Sequence, residues 1–138
     1  MIELQGVART YALGERPVPA LHDVTLTIRD GDYAAVMGPS GSGKSTLLNI
    51  LGCLDRPTAG VYRLDGREVG SLDEKELCLV RNRKIGFVFQ TFHLVPRLTA
   101  AGNVDLTMMF AGVSPAERAD RVRRALESVG LAERIVDL

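Results

Sequence analysis

The run from Gly38 to Thr46, Gly-Pro-Ser-Gly-Ser-Gly-Lys-Ser-Thr, constrains the fold of this chain more than any other feature. It fits the pattern G-x-x-x-x-G-K-[S/T], follows an apolar run at residues 33–37, and opens an apolar-periodic stretch at residues 47–54. That order predicts a strand, a glycine-rich loop and a helix. A loop in this position cradles phosphate groups, whereas the alternative is a Gly/Ser-rich connection with a lysine that faces solvent.

The residue types of this loop suit a polyphosphate. Its glycines let consecutive backbone N–H groups turn inward as an anion nest, and the helix that follows adds the positive end of its dipole. Lys44 supplies a full charge for the β- and γ-phosphates, and the hydroxyl of Ser45 is suited to hold Mg²⁺. The residues predicted to contact the phosphates are Gly38, Ser40, Gly41, Ser42, Gly43, Lys44, Ser45 and Thr46.

Composition excludes several classes of partner. The 138 residues include 17 Lys and Arg against 17 Asp and Glu, so no net charge attracts nucleic acid or anionic lipid. No apolar run approaches the roughly 18 residues of a membrane span, and the first residues do not resemble a signal peptide. Cys53 and Cys78 lack metal-ligand spacing and are expected to be free thiols. We therefore expect a cytoplasmic chain that binds no nucleic acid.

The rest of the pattern alternates strands with helices, which predicts an α/β fold. Strands are expected at residues 2–4, 7–11, 24–28, 33–37, 61–64 and 85–89. Helices are expected at residues 47–54 and 73–81, and a third begins after the capping box of Ser114 and Glu117 and ends before Gly130. Two prolines and a glycine predict an exposed loop at residues 14–19.

Three segments resemble the nucleotide-binding domain of ABC transporters, and the similarity runs along the whole chain. They are LHDVTLTIRDGDYAAVMGPSGSGKSTLLNILGCLDRPTAG, RNRKIGFVFQ and TFHLVPRLTAAGNV, and they are most similar to the macrolide-exporter and lipoprotein-release branch. The resemblance implies a P-loop NTPase fold of the ABC type. It implies an N-terminal antiparallel β subdomain (1–36), a P-loop core with an incomplete parallel sheet (37–90), and a Q-loop with the start of a helical subdomain (91–138).

The same resemblance implies further site residues. Tyr11 matches the aromatic residue that stacks on the adenine of ATP, and Gln90 matches the glutamine that senses Mg²⁺ and the attacking water. Lys44 and Gln90 would then be catalytic, and Ser45 and Gln90 would contact the metal. The segment from Thr91 to Thr99 matches the surface on which the membrane-spanning subunit docks. From the residues alone, Tyr11 would more often be a half-buried strand aromatic and Gln90 a polar residue at a strand end, and the apolar residues after it could be part of a core.

The family reaction is ATP hydrolysis that drives export through a membrane partner, with two domains paired head to tail. The resemblance therefore places the chain on the cytoplasmic face of the inner membrane. The family's LSGGQ signature, acidic Walker B strand and catalytic glutamate do not occur within these 138 residues, and the resemblance places them further on. We expect residues 1–138 to bind ATP without hydrolysing it alone. The alternatives are a non-catalytic ATP-binding remnant, a soluble ABC-type ATPase without a membrane partner, or another P-loop enzyme such as a small-molecule kinase or GTPase.

Overall fold

A four-stranded antiparallel sheet organises the N-terminal part of the protein. The computed structural model describes residues 1–14 and 16–134, which belong to two units, Met1–Phe87 and Val88–Leu138. In the first unit the strands are β1 (Ile2–Leu13), β2 (Arg16–Ile28), β3 (Ala59–Leu64) and β4 (Arg67–Glu68), in the spatial order β2-β1-β3-β4. The sheet thus combines the N-terminal hairpin with strands that follow the glycine-rich loop.

The hairpin of β1 and β2 is longer than its sequence pattern predicts. The expected irregularity of β1 is confirmed, because its register with β2 shifts at three places between Leu4 and Thr10. The described residues of 14–19 are exposed as expected, but the expected loop is wrong, since Pro17 and Pro19 lie within β2 and pair with β1. Proline is tolerated there because β2 is an edge strand of this sheet and needs N–H donors on one side only.

Two helices accompany the sheet in the first unit. The helix predicted at residues 47–54 is α1 (Lys44–Leu51), which begins earlier because Gly43 caps it and the glycine-rich loop leads directly into its first turn. The helix predicted at residues 73–81 is α2 (Glu74–Lys84). Asp73 and Glu76 form a reciprocal capping box there, with the Glu76 amide donating to Asp73 Oδ1 at 2.8 Å.

The core of the first unit joins both helices to the sheet. Tyr62 of β3 is almost fully buried, and its hydroxyl donates to the carbonyl of Leu51 at 2.8 Å, which ties the sheet to the end of α1. The buried cluster is Leu4, Val7, Leu21, Leu47, Ile50, Cys53, Tyr62, Val69, Leu72, Leu77 and Val80. The glycine-rich loop is therefore connected to a helix that this core holds in place.

Two expected strands are not strands in the structure. Residues 33–37 and 85–89 lie outside the sheet, and among the described residues no strand pairs with either segment. A strand requires a neighbour for its backbone hydrogen bonds, so apolar sequence alone does not produce one. Apolar side chains in these segments face solvent, including Tyr33 at 100% exposure and Met37 at 88%.

The second unit contains two α-helices, α3 (Ala100–Phe110) and α4 (Pro115–Ser128), followed by the 3-10 turn Ala132–Arg134. The predicted start of α4 is confirmed, because the Glu117 amide donates to Ser114 Oγ at 3.4 Å and Pro115 opens the helix. Helix α3 is absent from the sequence predictions. Its N-cap is Thr99, whose hydroxyl accepts a hydrogen bond from the Gly102 amide at 3.0 Å. Thr99 lies in the segment that the sequence analysis interprets as a docking loop.

Candidate functional site

The glycine-rich loop enters α1 through Gly43, at a point where only glycine fits. Gly43 has φ of 86°, in the left-handed region, and a Cβ there would overlap the carbonyl oxygen of Ala20 and lie 2.8 Å from Leu21 Cδ2. The loop is thus packed directly against β2. This contact sets the position of the first turn of α1 relative to the sheet.

The start of α1 presents backbone donors to the loop. The first helical hydrogen bond runs from the Leu47 amide to the Gly43 carbonyl at 2.8 Å, so the amides of residues 44–46 precede the helical ladder. Gly43 has no side chain to cap them. These amides and the positive end of the helix dipole suit an anion.

The ammonium group of Lys44 lies against its own loop. Nζ donates to the carbonyls of Gly38 at 2.8 Å and Pro39 at 2.6 Å, and it lies 3.5 Å from Ser42 Oγ. These bonds hold the ammonium group against the loop backbone, and Lys44 as a whole residue is half-buried. An entering phosphate would therefore meet a lysine that is already positioned.

An open pocket of about 530 Å³ lies over this loop. Its lining consists of backbone, hydroxyl groups and one lysine, contributed by Ala20, Ser40, Gly41, Gly43, Lys44, Ser45 and Thr46. No carboxylate is among these lining residues, so the pocket carries a positive charge. Such a pocket is suited to a phosphate chain.

Tyr11 lies on β1 and is held by a charged pair. Its hydroxyl donates to Asp55 Oδ2 at 2.7 Å, and the guanidinium carbon of Arg9 lies 4.5 Å from the centroid of its ring. Arg9 also binds both carboxylate oxygens of Asp55, at 3.0 and 2.7 Å. Cross-strand pairing places Tyr11 opposite Val18, two residues before the Ala20 that lines the loop pocket. Tyr11 is half-buried, in keeping with either interpretation of its sequence position.

The environment of Asp55 favours its charged form. Burial would raise the pKa of Asp55, but the hydrogen bonds from Tyr11 and the Arg56 amide, together with Arg9, outweigh burial and lower that pKa. Nearby, burial raises the pKa of the Cys53 thiol. The turn that follows α1 therefore carries a carboxylate that stays ionised at neutral pH.

Gln90 and the expected docking segment belong to the second unit. Gln90 is exposed, and the segment after it presents Phe92 at 85% and Leu94 at 62% exposure. The far end of the segment is held by Asn103, which accepts from the Val95 amide at 2.7 Å and donates to the Thr99 carbonyl at 3.0 Å. An anchored loop that exposes large apolar side chains is suited to a protein contact.

Three side chains of these sites are not among the site residues predicted from the sequence. Arg9 is two residues from Tyr11 on one strand, so strand periodicity could have placed both on one face. Asp55 is distant in sequence, and nothing in the pattern connects it with Tyr11. Asn103 could have been found through its position in the first turn of a helix capped by Thr99.

The described residues hold no group of three or more His, Cys, Asp and Glu arranged for a metal ion. Ser45 is exposed, lines the pocket over the glycine-rich loop, and offers one hydroxyl oxygen. Mg²⁺ commonly keeps several waters and takes the rest of its oxygens from phosphates and a few protein groups, so this site fits it only together with a phosphate ligand. In the part of the chain that the structure describes, every helix is too short or too polar to cross a membrane.

Known proteins resemble this chain over nearly its whole length. A family model described as "ABC transporter" matches residues 21–137. The uncharacterized ABC transporter ATP-binding protein YknY of Bacillus subtilis (strain 168) is 53% identical over 138 residues, 100% of this chain and 60% of that protein. The macrolide export ATP-binding/permease protein MacB of Marinobacter nauticus is 51% identical over 135 residues, 98% of this chain and 21% of that protein.

Solved structures agree with these relatives. The ATP-binding cassette MJ0796, as a dimer in a post-hydrolysis state bound to ADP and Pi, gives a TM-score of 0.86 at 46% identity and covers 99% of this chain and 60% of that one. A second dimeric MJ0796 structure gives a TM-score of 0.82 at 48% identity, over 96% of this chain and 57% of that one. The expected ABC-type fold class is thereby confirmed. The chain spans about 60% of the length of YknY and of the MJ0796 cassette.

Proposed function

The chain belongs to the ABC transporter family, and from that premise we propose that it binds ATP as the ATP-binding part of a transporter. The observation that carries the proposal is the loop pocket, in which Lys44 and the start of α1 direct positive charge at one open cavity. The family role is ATP hydrolysis coupled to export. We propose the same role for a protein that contains these residues in its nucleotide-binding domain.

ATP would bind through its phosphates first. The amides of residues 44–46 and the loop backbone would accept the β- and γ-phosphates, and Lys44 would exchange its bonds to the Gly38 and Pro39 carbonyls for bonds to phosphate oxygens. Because the ammonium is already held within the loop, little side-chain entropy is lost on binding. The base would stack on Tyr11, which lies on β1 and pairs with the strand whose Ala20 lines the pocket.

Mg²⁺ is proposed to bind with the nucleotide. Ser45 would contribute its hydroxyl, while phosphate oxygens and waters would complete the coordination. The ion neutralises charge on the phosphates when it is bound. Gln90 is proposed as the residue that contacts the ion and orients the attacking water, since an amide offers both an acceptor and donors. Lys44 and Gln90 are therefore the proposed catalytic residues of this chain.

The proposed partners follow from family membership and from the exposed segment Thr91 to Thr99. Phe92 and Leu94 present apolar surface to a membrane-spanning subunit, as a docking loop requires. A second nucleotide-binding domain is proposed to pair with this one head to tail, and the relatives of this kind include dimeric MJ0796. The complex would lie on the cytoplasmic face of the inner membrane. The subdivision into residues 1–36, 37–90 and 91–138 also stays a proposal.

The test of ATP binding is a titration of the purified chain with a fluorescent ATP analogue in the presence of Mg²⁺. Lys44→Ala is expected to weaken binding at least about 10-fold, because it removes a charge-assisted contact worth roughly 1.5–3 kcal/mol. Tripolyphosphate is expected to compete with the analogue, and its affinity should fall in parallel. Equal affinities of wild type and Lys44→Ala for both ligands would contradict the proposal.

Ser45→Ala provides a separate test of the metal. Its affinity for ATP without Mg²⁺ is expected to equal that of wild type, whereas the gain in affinity on adding Mg²⁺ should shrink. The measurement is the same titration with and without the ion. A matched control is Ser42→Ala, whose hydroxyl lies near Lys44 but is not proposed as a metal ligand. A full Mg²⁺ response in Ser45→Ala would remove this residue from the metal site.

A further inference from the structure

Tyr11 is restrained at two points, and the restraints come from residues far apart in sequence. We propose that Arg9 and Asp55 are positioning residues that fix the Tyr11 ring for stacking on a nucleotide base. This inference rests on the proposed function, since it specifies how the base half of the same nucleotide site is built. It predicts that these two residues affect recognition of the base and leave recognition of the phosphates unchanged.

The contacts restrain both the position and the tilt of the ring. The hydroxyl bond to Asp55 Oδ2, at 2.7 Å, fixes the outer end of the side chain. Arg9 covers one face with its guanidinium group at 4.5 Å from the centroid, so a base would stack on the opposite face. The two Arg9 bonds to Asp55 form a planar, bidentate pair that keeps the guanidinium group over the ring.

Asp55 itself has a rigid support. It lies in the turn after α1, where its amide and that of Leu54 both donate to the Asn49 carbonyl, at 3.2 and 2.8 Å. From the other side, Arg81 of α2 donates to the Cys53 carbonyl at 2.9 Å. The side chain of Asp55 is only 19% exposed and also accepts from the Arg56 amide at 2.7 Å. A carboxylate fixed in this way can hold a ring in place, whereas a mobile surface carboxylate could not.

Helix α1 connects the two halves of the site. Its N-terminus directly follows the glycine-rich loop, and the turn after its C-terminus carries Asp55. The helix has 8 residues and is therefore about 12 Å long. One rigid element thus relates the phosphate pocket to the support of the proposed base platform. Restraining the ring before binding lowers the entropic cost of stacking, which is the physical gain from the pair.

The experiment compares two ligands, ATP and tripolyphosphate, in competition with the same fluorescent ATP analogue. The ratio of their affinities isolates the contribution of the base and sugar from that of the phosphates. Tyr11→Ala is expected to lower this ratio at least about 5-fold, the loss of one stacked base. Asp55→Ala and Arg9→Met are each expected to lower it about 3- to 10-fold without changing the affinity for tripolyphosphate.

Coupling between the residues provides a sharper measurement. Because Tyr11→Phe removes the hydroxyl route and leaves the Arg9 route intact, Asp55→Ala should lower the ratio less in a Tyr11→Phe background than in wild type. The conservative variant Asp55→Asn, which can still accept the hydroxyl bond, should recover part of the ratio. Glu74→Gln is the matched control, because Glu74 pairs with Arg56 and Arg81 beside the same turn and does not touch Tyr11. Thermal melting of each variant shows which of them fold.

The outcomes separate this inference from the proposed function. Lys44-dependent binding of both ligands, with an unchanged ratio in Asp55→Ala and Arg9→Met, would overturn the positioning role alone. An equal loss for both ligands would show that the pair serves only to stabilise the fold, and would also overturn it. If wild type bound ATP no more tightly than Lys44→Ala, the proposed function would be refuted, and the positioning role with it. Reduced ratios in the folded variants Asp55→Asn and Tyr11→Phe support the proposal even where the alanine variant unfolds.

Discussion

At the scale of single residues, backbone conformation determines which positions of the loop tolerate change. Gly41 and Gly43 both have positive φ, at 79° and 86°. A Cβ on Gly41 would meet nothing within 4 Å, whereas one on Gly43 would overlap the Ala20 carbonyl. The two glycines therefore carry the same conformational penalty but different steric penalties.

Gly41→Ala is accordingly expected to cost about 1–2 kcal/mol of unfolding free energy, the usual penalty for a left-handed L-residue. Gly43→Ala should cost several kcal/mol in total, because either α1 or β2 must shift. Urea unfolding of both variants measures the difference. Similar losses for the two substitutions would mean that the contact between Gly43 and β2 is not a constraint on the loop.

At the scale of elements, the turn after α1 is the junction of the first unit. It is bound to β1 through Asp55 and to α2 through Arg81 and Cys53. Cys53 is buried there with φ of 54°, an uncommon conformation for a residue with a side chain. The surrounding contacts maintain this conformation. Because one of them is the contact between Arg9 and Asp55, the stability of the turn is expected to depend on the charge on Asp55.

The lowered pKa of Asp55 gives this response a direction. A carboxyl group whose pKa is lower in the folded state stabilises the protein above its ordinary pKa of 3.8, and this stabilisation is lost as the pH falls through the folded value. Wild type should therefore exceed Asp55→Asn by about 1–3 kcal/mol of unfolding free energy near neutral pH. The gap should stay constant down to about pH 5 and close below about pH 4. Urea unfolding across this range tests it, and a gap independent of pH would refute it.

At the scale of the whole molecule, the residues proposed to bind phosphate and the group that would activate water are distinct. The residues that line the loop pocket of the first unit include no carboxylate, so this lining itself contains no general base for a γ-phosphate bound there. Phosphoryl transfer depends on positioning and on charge stabilisation around the attacking water. Binding ATP and hydrolysing it therefore have different structural requirements.

A polypeptide of residues 1–138 is accordingly expected to bind ATP without steady-state hydrolysis above a Lys44→Ala control. A phosphate-release assay at high protein concentration, which permits pairing of two copies, measures this. The positive control is a protein in which these residues are joined to the remaining portion of a related cassette such as YknY. Lys44-dependent turnover by residues 1–138 alone would show that other residues in this chain supply the base.

Much of the local structure follows from sequence because it depends on neighbours along the chain. The glycine pattern before Lys44, the capping box that begins at Ser114, and the residue patterns at 47–54 and 73–81 predict α1, α2 and α4, and the structure confirms all three. The same local patterns predict the phosphate loop. Backbone conformation and helix capping involve residues within a few positions of each other, so the order of residues is sufficient to predict them.

Tertiary structure alone decided the contacts between distant residues. Apolar sequence at 33–37 and 85–89 predicts strands, but a strand forms only where it pairs with a neighbouring strand, and neither segment belongs to the sheet formed by the described residues. The sequence predicts that Pro17 and Pro19 lie in a loop. They are accommodated in β2 because β2 is an edge strand. Likewise Asp55 reaches Tyr11 only because α1 packs against the sheet and ends beside β1. In each case the outcome depends on a hydrogen bond or a packing contact between two residues that are distant in sequence and that the fold brings together.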